Sequence, residues 1–589
     1  MLGPALPGAQ NVPRMKGVAE RGRGPQIGLG LGLGLGLAVT AFGCCALALA
    51  PPAGSLDDVF VVLAEARRLV STSDLGAEGP TVESWTSPAD LLGKMALLVV
   101  WPGADPLRAA GWLALAELAI FVGASVALLA ALGGGGVRCT IAAFGLISVP
   151  GLLEGAAYRL EGPLFGLVWM LAATAAMRRR FRGALGWGAL LAWIRPEGMA
   201  LGLAAAWLAR PSPAGPLEEG LTSGHVAGEG RSGTSLREPL RGRRWTLAVS
   251  ALLIVVPVTA FRRTVYGAWL PNTYHAKRSD SLVQEWMDGA EYAAQLVAGS
   301  GGLALVTLAV IAALRFGAAR REGHLEGAHI QRVALWLAGL SLAALVASGG
   351  DSYEGARLAL PIGVPLWLGF AAPRGFGRPA RFAQVLLGLG AAALALQSWA
   401  LIGGSVSAET VRMRLSEARS GPAGMEVFAP ERPALRAATL ALDGEAFGHR
   451  HLQRLRWFCP DASVLDLTGL TDRSIARLPA PGQVKFGRDA VEEALRRRAG
   501  ALHLDPVGVR PLSITEVDLL PALASPTVAP NFGGPPYLDR DTAARVAAAY
   551  FGASFAVPGG FVNLLVRQDL APRFVEQGFT VSGDAAGRR

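Results

Sequence analysis

Long apolar segments constrain the fold of this chain more than any other feature, because about 20 apolar residues in a helix span the hydrocarbon core of a bilayer. We predict membrane segments at residues 27–50, 108–131, 137–152, 163–177, 184–209, 245–262, 302–316, 332–348, 357–371 and 382–402. The composition agrees, since 51% of the residues are hydrophobic and only 17% are charged. The chain is therefore predicted to be a polytopic α-helical membrane protein.

The positions of Lys and Arg predict how the segments are oriented. A basic stretch, residues 1–26, precedes the first segment and places the amino terminus in the cytoplasm. When each segment crosses once, later basic clusters fall on the same side; they lie at 178–182, 210–244, 315–332 and 374–381. These clusters explain the net charge of +10 as a topology signal and not as a nucleic-acid-binding surface.

The segment 184–209 is the exception, because it must begin and end in the cytoplasm. Its centre contains Arg195, Pro196 and Glu197, which a lipid-facing helix would not tolerate, and the proline disfavours helix at the residue before it. We therefore predict two short helices with the sequence RPEG at the turn. The total becomes about eleven membrane segments. An odd number places the region from residue 403 onward on the same face as Asp57 and Asp58.

The regions outside the segments have distinct characters. Residues 51–107 form a long outer loop, in which residues 62–70 place Leu63, Ala66 and Val70 on one face of an amphipathic helix. A second run, 91–101, is too short to cross. The cytoplasmic loop 210–244 lacks apolar periodicity and is predicted to be disordered. Residues 403–589 have ordinary charge density and alternating apolar residues at 463–470 and 561–566, which predict a small extracytoplasmic soluble α/β domain.

Four polar motifs border the apolar segments and are expected to meet on the outer face. They are LDD at 56–58, WIRPEG at 193–198, YGAWLPNTYHAK at 266–277 and GGDSYEGARLALP at 349–361. Adjacent carboxylates at a membrane edge, Asp57 and Asp58, favour a general base, a metal ligand or both. Capping of the helix that follows is an equally good interpretation of these carboxylates. A capping role and a functional role are compatible.

Cations and further carboxylates border the same face. A guanidinium such as that of Arg195 can bind phosphate oxygens in a bidentate manner, whereas Glu197 is better read as its partner in a salt-bridged turn. Lys277 and Arg357 offer the same charge, although each could equally be a topology-setting flank. Carboxylates are added by Glu161, Asp351 and Glu354. The aromatic residues of this face favour an interfacial belt over sugar stacking; they are Trp85, Tyr266, Trp269, Tyr274 and Tyr353.

In their order along the chain, these motifs resemble the GT-C superfamily of membrane glycosyltransferases, and most of all its bacterial arabinofuranosyltransferase-like branch. LDDVFVVLAEARRLV is similar to that branch's acidic pair with its amphipathic helix, and VESWTSP at 82–88 is similar to its V-E-G-Y-T-S-P element. VLDLTGLTDRSIAR at 464–477 resembles its D-x-x-G-L-T-D element. The resemblance covers residues 55 to about 480. Val59, Ser84 and Trp85 depart from the usual pattern, which leaves the sugar unidentified.

The resemblance implies a GT-C-like transmembrane domain, residues 27–402, in the plasma (inner) membrane, with the active site and the domain 403–589 outside. It implies transfer of a sugar, arabinofuranose or another pentose or hexose, from a polyprenyl-phosphate donor to a glycan or lipid of the cell envelope, with inversion. Asp57, or otherwise Asp58, would be the base, and Arg195, Lys277 and Arg357 would hold the phosphate. The implied substrate-binding residues are Glu83, Trp85, Glu161, Glu197, Asn272, Tyr274 and Asp351. A divalent cation, Mg²⁺ or Mn²⁺, bridging Asp57 or Asp58 to the phosphate stays open, because the sequence shows no complete set of oxygen ligands.

Two other classes of function compete with this interpretation. A transporter or flippase could also carry broken helices and charges within the membrane, but it predicts internal repeats that the two halves of this sequence lack. A non-catalytic subunit of envelope polysaccharide assembly would use the domain 403–589 to bind a partner. That subunit would keep its function when the acidic pair is lost.

Overall fold

The structure of the protein is a computed structural model. It describes residues 57–72, 87–102, 106–131, 136–147, 149, 152–157, 161–210, 237–277, 281–298, 300–349, 359–372, 432–449, 459, 463–467, 475, 477–478, 488–503, 512–516, 519–524, 538–557 and 560–582. The predicted segments 27–50 and 382–402 and the basic stretch 1–26 lie outside these ranges.

Helices make up the described chain up to residue 372. In chain order they are α1 (Asp57–Thr72), α2 (Pro88–Val100), α3 (Pro106–Ala131), α4 (Gly136–Ile147), α5 (Leu152–Ala157), α6 (Gly162–Met177), α7 (Phe181–Ile194), α8 (Glu197–Leu208), α9 (Arg237–Ile254), α10 (Val256–Tyr266), α11 (Asn272–Lys277), α12 (Leu282–Ala298), α13 (Ser300–Arg321), α14 (Leu325–Ala347) and α15 (Leu360–Ala371).

Several of these helices have the length and composition that a membrane requires. Three stretches of the described chain are long and apolar enough to cross: Ala109–Leu129, Trp245–Tyr266 and Leu325–Ala347. Three shorter apolar helices are Gly162–Met177, Glu197–Leu208 and Leu360–Ala371. These helices agree with a membrane protein. They do not establish the predicted count of eleven segments.

The segment 184–209 forms a helical hairpin, as predicted. Helix α7 ends at Ile194, Arg195 is extended with φ −149° and ψ 149°, and α8 begins at Glu197. Pro196 accounts for the break, because its ring disfavours helical geometry at the preceding residue. The two arms pack closely, since a Cβ atom added at Gly202 would lie 2.6 Å from the carbonyl oxygen of Gly188.

The loop 51–107, predicted to lie on the outer side, contains two helices, α1 and α2, as predicted. In α1, Leu63 and Ala66 are buried, as expected, together with Val62 and Leu69. The prediction for Val70 was wrong: this residue lies in the last turn of the helix and is 39% exposed. Helix α2 has 13 residues, too few to cross a bilayer.

Helix α12 was not predicted. Its apolar residues alternate with Gln284, Glu285, Asp288 and Glu291, so that no continuous apolar run marks it in the sequence. Leu282, Val283, Trp286 and Met287 are exposed in its first half. On its other side, Gly289 lies against the backbone of Val346, near the end of α14.

The helices have an acidic end and a basic end, which we define by the two ends of α6. Glu161 precedes the first residue of α6, and Arg178 to Arg180 follow its last one. With 16 residues, α6 separates the two ends by about 24 Å. At the basic end, the buried Arg315 of α13 donates a 2.6 Å hydrogen bond to the carbonyl oxygen of Phe370 in α15. Basic residues therefore gather at one end, as the predicted topology requires.

The described part from residue 432 onward forms a mixed sheet with helices on both faces, and the prediction of an α/β domain agrees with it. The sheet order is β2-β1-β3-β5-β4-β6, in which β1 is parallel to β2 and β3 and the remaining pairs are antiparallel. The strands are β1 (Phe447–His449), β2 (Val464–Asp466), β3 (Ala501–His503), β4 (Tyr550–Val557), β5 (Gly560–Arg567) and β6 (Thr580–Val581). The helices are α16 (Arg432–Leu442), α17 (Arg488–Arg496), α18 (Leu519–Ala524), α19 (Arg540–Ala549) and α20 (Ala571–Glu576).

Candidate functional site

Arg195 occupies the extended position between α7 and α8 and lies between two carboxylates. Its Nη1 atom is 3.4 Å from Oε1 of Glu161, and its Nη2 atom is 3.1 Å from Oε1 of Glu197. The guanidinium also lies over the ring of Phe165, 5.8 Å from its centre. The salt-bridged turn that the sequence suggested for Glu197 is therefore present, and Glu161 joins it from another helix.

Both carboxylates lie where a helix begins. Glu197 is the first residue of α8, and Glu161 immediately precedes α6 and accepts a 2.8 Å hydrogen bond from the backbone N–H of Phe165 through its carbonyl oxygen. Negative charge is favourable at helix amino termini, where the backbone dipoles sum to a partial positive charge. Three secondary-structure junctions thus fix the positions of Arg195, Glu161 and Glu197.

A second ion pair lies within α2. Lys94 Nζ is 2.6 Å from Asp90 Oδ2, and the two side chains are only 1% and 3% exposed. The helix start is capped by Ser87, whose hydroxyl accepts a hydrogen bond from the backbone N–H of Asp90 at 3.2 Å. Burial raises the pKa of the Asp90 carboxyl to about 6, while the neighbouring Lys94 opposes the rise.

The two ion pairs belong to one group, which we call the charge cluster. Asp90 interacts electrostatically with Glu161, and Glu117 of α3 interacts with Asp90, Lys94 and Glu161. The charge cluster is defined as Asp90, Lys94, Glu117, Glu161, Arg195 and Glu197. It contains four carboxyl groups and two cations, so carboxyl groups outnumber cations within the cluster.

Helices α1 and α10 lie beside the charge cluster. Trp193 contacts Phe261 of α10 at 5.3 Å between ring centres, and Phe261 packs edge-on against Tyr266. Tyr266 is buried in the same apolar group as Val62, Ala66 and Leu69 of α1 and Leu91 of α2. Tyr266 is therefore a packing residue, contrary to the interfacial-belt reading.

This packing places the helix that begins with the acidic pair at the acidic end. Asp57 and Asp58 are the first two residues of α1. Their side chains lie outside what the structure describes, so the choice between base, metal ligand and cap is not tested.

The YGAWLPNTYHAK motif forms the end of α10, a turn and α11. Asn272 and Thr273 are buried at the start of α11, whereas Tyr274 is exposed and contacts His275 edge-on. Trp269 is exposed, as an interfacial aromatic residue would be, with the Arg263 guanidinium 5.8 Å from its ring centre. Lys277 is the last residue of α11, and its side chain is not described.

The remaining predicted site residues lie outside the described ranges. They are Glu83, Trp85, Asp351, Tyr353, Glu354 and Arg357. The structure therefore brings together Arg195, Glu161 and Glu197, and the roles of all the predicted site residues stay predictions.

Sequence reasoning missed four buried or half-buried charges near this site. Asp90 and Lys94 have the spacing of an i, i+4 ion pair inside a short apolar helix, which was a readable signal. Glu117 interrupts the apolar run 108–131, and a charge inside such a run is a functional-site signal by default. Arg262 is fully buried one turn before Tyr266, but in the sequence it looks like a flank at the end of a membrane segment.

Metal binding was an open alternative for the acidic pair. Among the residues whose side chains are described, no three His, Cys, Asp or Glu side chains lie together in a way that could hold a metal ion. Asp57 and Asp58 are not among those residues.

Comparisons with known proteins give a structural likeness and no sequence match. No family model and no curated protein sequence matches the chain. Among solved structures, the chain is similar to the crystal structure of ArnT from Cupriavidus metallidurans bound to undecaprenyl phosphate, with 13% sequence identity and a TM-score of 0.39. The alignment covers 77% of this chain and 89% of that one. A TM-score of this size does not establish a shared fold.

Proposed function

We propose that this protein is a membrane glycosyltransferase of the GT-C type, which transfers a sugar from a polyprenyl-phosphate donor. The observation that carries the proposal is the position of Arg195. The broken helix presents this guanidinium at the acidic end, beside the helix that begins with Asp57 and Asp58. The order of the motifs along the sequence supports the same function.

Arg195 is suited to bind the donor phosphate. Glu161 and Glu197 hold its guanidinium in place at the turn. A guanidinium can bind phosphate oxygens in a bidentate manner.

The excess of carboxyl groups in the charge cluster means that Arg195 alone would not balance the charge of a bound phosphate. Because carboxyl groups outnumber cations in the charge cluster, an incoming phosphate needs further positive charge. Lys277, at the end of α11, and Arg357, in the GGDSYEGARLALP motif, are the residues that we assign to this role. Glu161, Glu197, Asn272 and Tyr274 would then border the sugar, together with Glu83, Trp85 and Asp351.

The proposed reaction is a single displacement. Asp57, or otherwise Asp58, removes the proton from an acceptor hydroxyl, the hydroxyl oxygen attacks C1 of the sugar, and the bond from C1 to the phosphate oxygen breaks. The leaving polyprenyl phosphate departs as an anion that the cations stabilise, so it needs no proton donor. Attack opposite the leaving group inverts the configuration at C1.

The proposed setting is the outer face of the plasma membrane. A polyprenyl donor is held in the bilayer, and the basic end of the helices would lie in the cytoplasm. The acidic end then faces outward, where acceptors of the cell envelope are available. Arabinofuranose is the first sugar to test, because the motifs are most similar to those of the arabinofuranosyltransferase-like branch.

The test is release of polyprenyl phosphate by detergent-purified protein, with a panel of polyprenyl-phosphate sugars including arabinose and mannose and with crude envelope glycans as acceptor. We expect release with one donor, and loss of release in Asp57→Asn or Asp58→Asn. Asp443→Asn, in an exposed turn of the β-sheet domain, is the matched control and should keep full activity. No release from any donor would reject the proposal.

A further inference from the structure

We propose that the β-sheet domain docks on α1 and, given the proposed function, holds the acidic pair in its working position. This inference assigns an interaction surface to two parts of the same chain. It gives the domain a role in positioning and makes Leu63 a positioning residue.

The docking surface is an apolar group shared by the two parts. Leu63 of α1 and Ala110 of α3 belong to the same packed group as Ala434, Leu435 and Ala438 of α16 and Phe574 of α20. Leu63 is 0% exposed and Ala110 is 1% exposed. The core under one face of the sheet therefore continues onto the helices that precede it by more than 300 residues.

The neighbouring side of α1, roughly 90° around the helix from Leu63, packs against different helices. Val62, Ala66 and Leu69 contact the group that contains Leu91 of α2 and Tyr266 of α10. Helix α1 is thus held from two sides, by the helices of the acidic end and by the β-sheet domain. A helix held on two faces has little freedom to rotate or slide, because either motion would expose apolar surface.

The two contacts control where the acidic pair lies. Asp57 and Asp58 precede Leu63 by six and five residues in one continuous helix, which is about 8–9 Å along the axis. A general base must come within hydrogen-bonding distance of the hydroxyl that it deprotonates, and small misplacements lower the rate strongly. Loosening the Leu63 contact should therefore lower the rate and leave donor binding intact.

Hydrogen exchange of the purified full-length protein tests the docking directly. We expect Leu63→Ala to accelerate exchange by about tenfold in peptides covering 57–72 and also in peptides covering 432–442. Val70→Ala, an exposed position on the same helix, is the matched control and should change neither. Leu63→Met, which conserves the volume, should behave like the wild type. If Leu63→Ala does not fold, Ala110→Leu, which overfills the same surface from α3, should produce the acceleration at 432–442.

Unchanged exchange at 432–442 in every folded variant at Leu63 and Ala110 would overturn the docking. The positioning role has its own readout in the release assay: kcat should fall in Leu63→Ala while KM for the donor stays at the wild-type value, and Leu63→Met should restore kcat. A fall in donor affinity with unchanged kcat would overturn the positioning role. A wild-type protein without release would reject the proposed function, while the exchange experiment would still decide the docking.

Discussion

At the residue scale, the acidic end is built from charges whose burial must be compensated. Arg195 is compensated by Glu161 and Glu197, and Lys94 by Asp90. The first arrangement is partly open and lies on a turn, whereas the second is closed inside one helix. We therefore assign Arg195 to the substrate and treat the Asp90–Lys94 pair as a support of the site.

The Asp90–Lys94 pair should behave as a coupled unit in stability measurements. Removing either partner leaves a buried charge without its counterion, which typically costs about 3–5 kcal/mol, whereas replacing both by apolar residues costs much less. We expect Asp90→Leu and Lys94→Met each to lower the unfolding midpoint strongly at neutral pH, above the Asp90 pKa of about 6. The double variant should recover most of the loss. Additive losses in the double variant would contradict the assignment.

The buried phenol of Tyr550 should make the β-sheet domain less stable at alkaline pH. Burial raises the pKa of its phenol to about 12, and the hydroxyl donates a 2.7 Å hydrogen bond to the carbonyl oxygen of Ala499. Because the folded pKa is above the unfolded value of about 10, this contribution is complete below pH ~10 and is lost as the pH rises to ~12. The difference in denaturation midpoint between wild type and Tyr550→Phe should shrink between about pH 10 and about pH 12. A constant difference would argue against this pKa.

At the element scale, the α7–α8 hairpin fixes Arg195 through close contact of its glycines. A Cβ atom at Gly198 would lie 2.1 Å from the carbonyl oxygen of Leu191, and Gly188 and Gly202 touch through their backbones. The two arms can approach this closely because these positions carry no side chain.

Alanine substitutions should distinguish these glycines from a glycine of the same hairpin that has no close neighbour. Gly202→Ala and Gly198→Ala should force the arms apart and lower the unfolding midpoint, because backbone atoms cannot yield as a side chain can. Gly186→Ala is the matched control: nothing lies within 4 Å of its added Cβ, so helix propensity should leave stability equal or raise it by up to about 1 kcal/mol. Equal effects at Gly186 and Gly202 would refute the close packing.

How far the sequence predicts the structure also differs from element to element. The hairpin followed from a charged centre with a proline, and β5 followed from alternation at 561–566, because both signals are local. Helix α12 could not be predicted in this way, since its apolar residues form no continuous run. The link of Glu117 and Asp90 to Glu161 could not be predicted, because it depends on how three separate helices pack.

At the scale of the whole molecule, the predicted topology and the packing agree on the placement of the β-sheet domain. The predicted odd number of crossings would put the domain on the face of Asp57, and the core of the domain includes Leu63 of the helix that starts there. The basic end of the helices lies about 24 Å from the acidic end, along α6.

Cysteine labelling in intact cells tests this orientation. A cysteine placed at Asp443, in an exposed turn of the domain, should react with a membrane-impermeant maleimide. A cysteine placed at Arg320, at the basic end, should react only after the membrane is permeabilised. Labelling of Arg320→Cys but not Asp443→Cys in intact cells would invert the topology and remove the acidic end from the outer face.

The central claim, that Arg195 receives the donor phosphate at the acidic end, has one direct test. In steady-state release of polyprenyl phosphate, Arg195→Gln should raise KM for the donor at least about tenfold, the loss of a charge-assisted hydrogen bond to phosphate. Arg320→Gln, an exposed cation at the basic end, serves as the control with unchanged KM. An Arg195→Gln protein that keeps its unfolding midpoint and its wild-type KM would contradict the account.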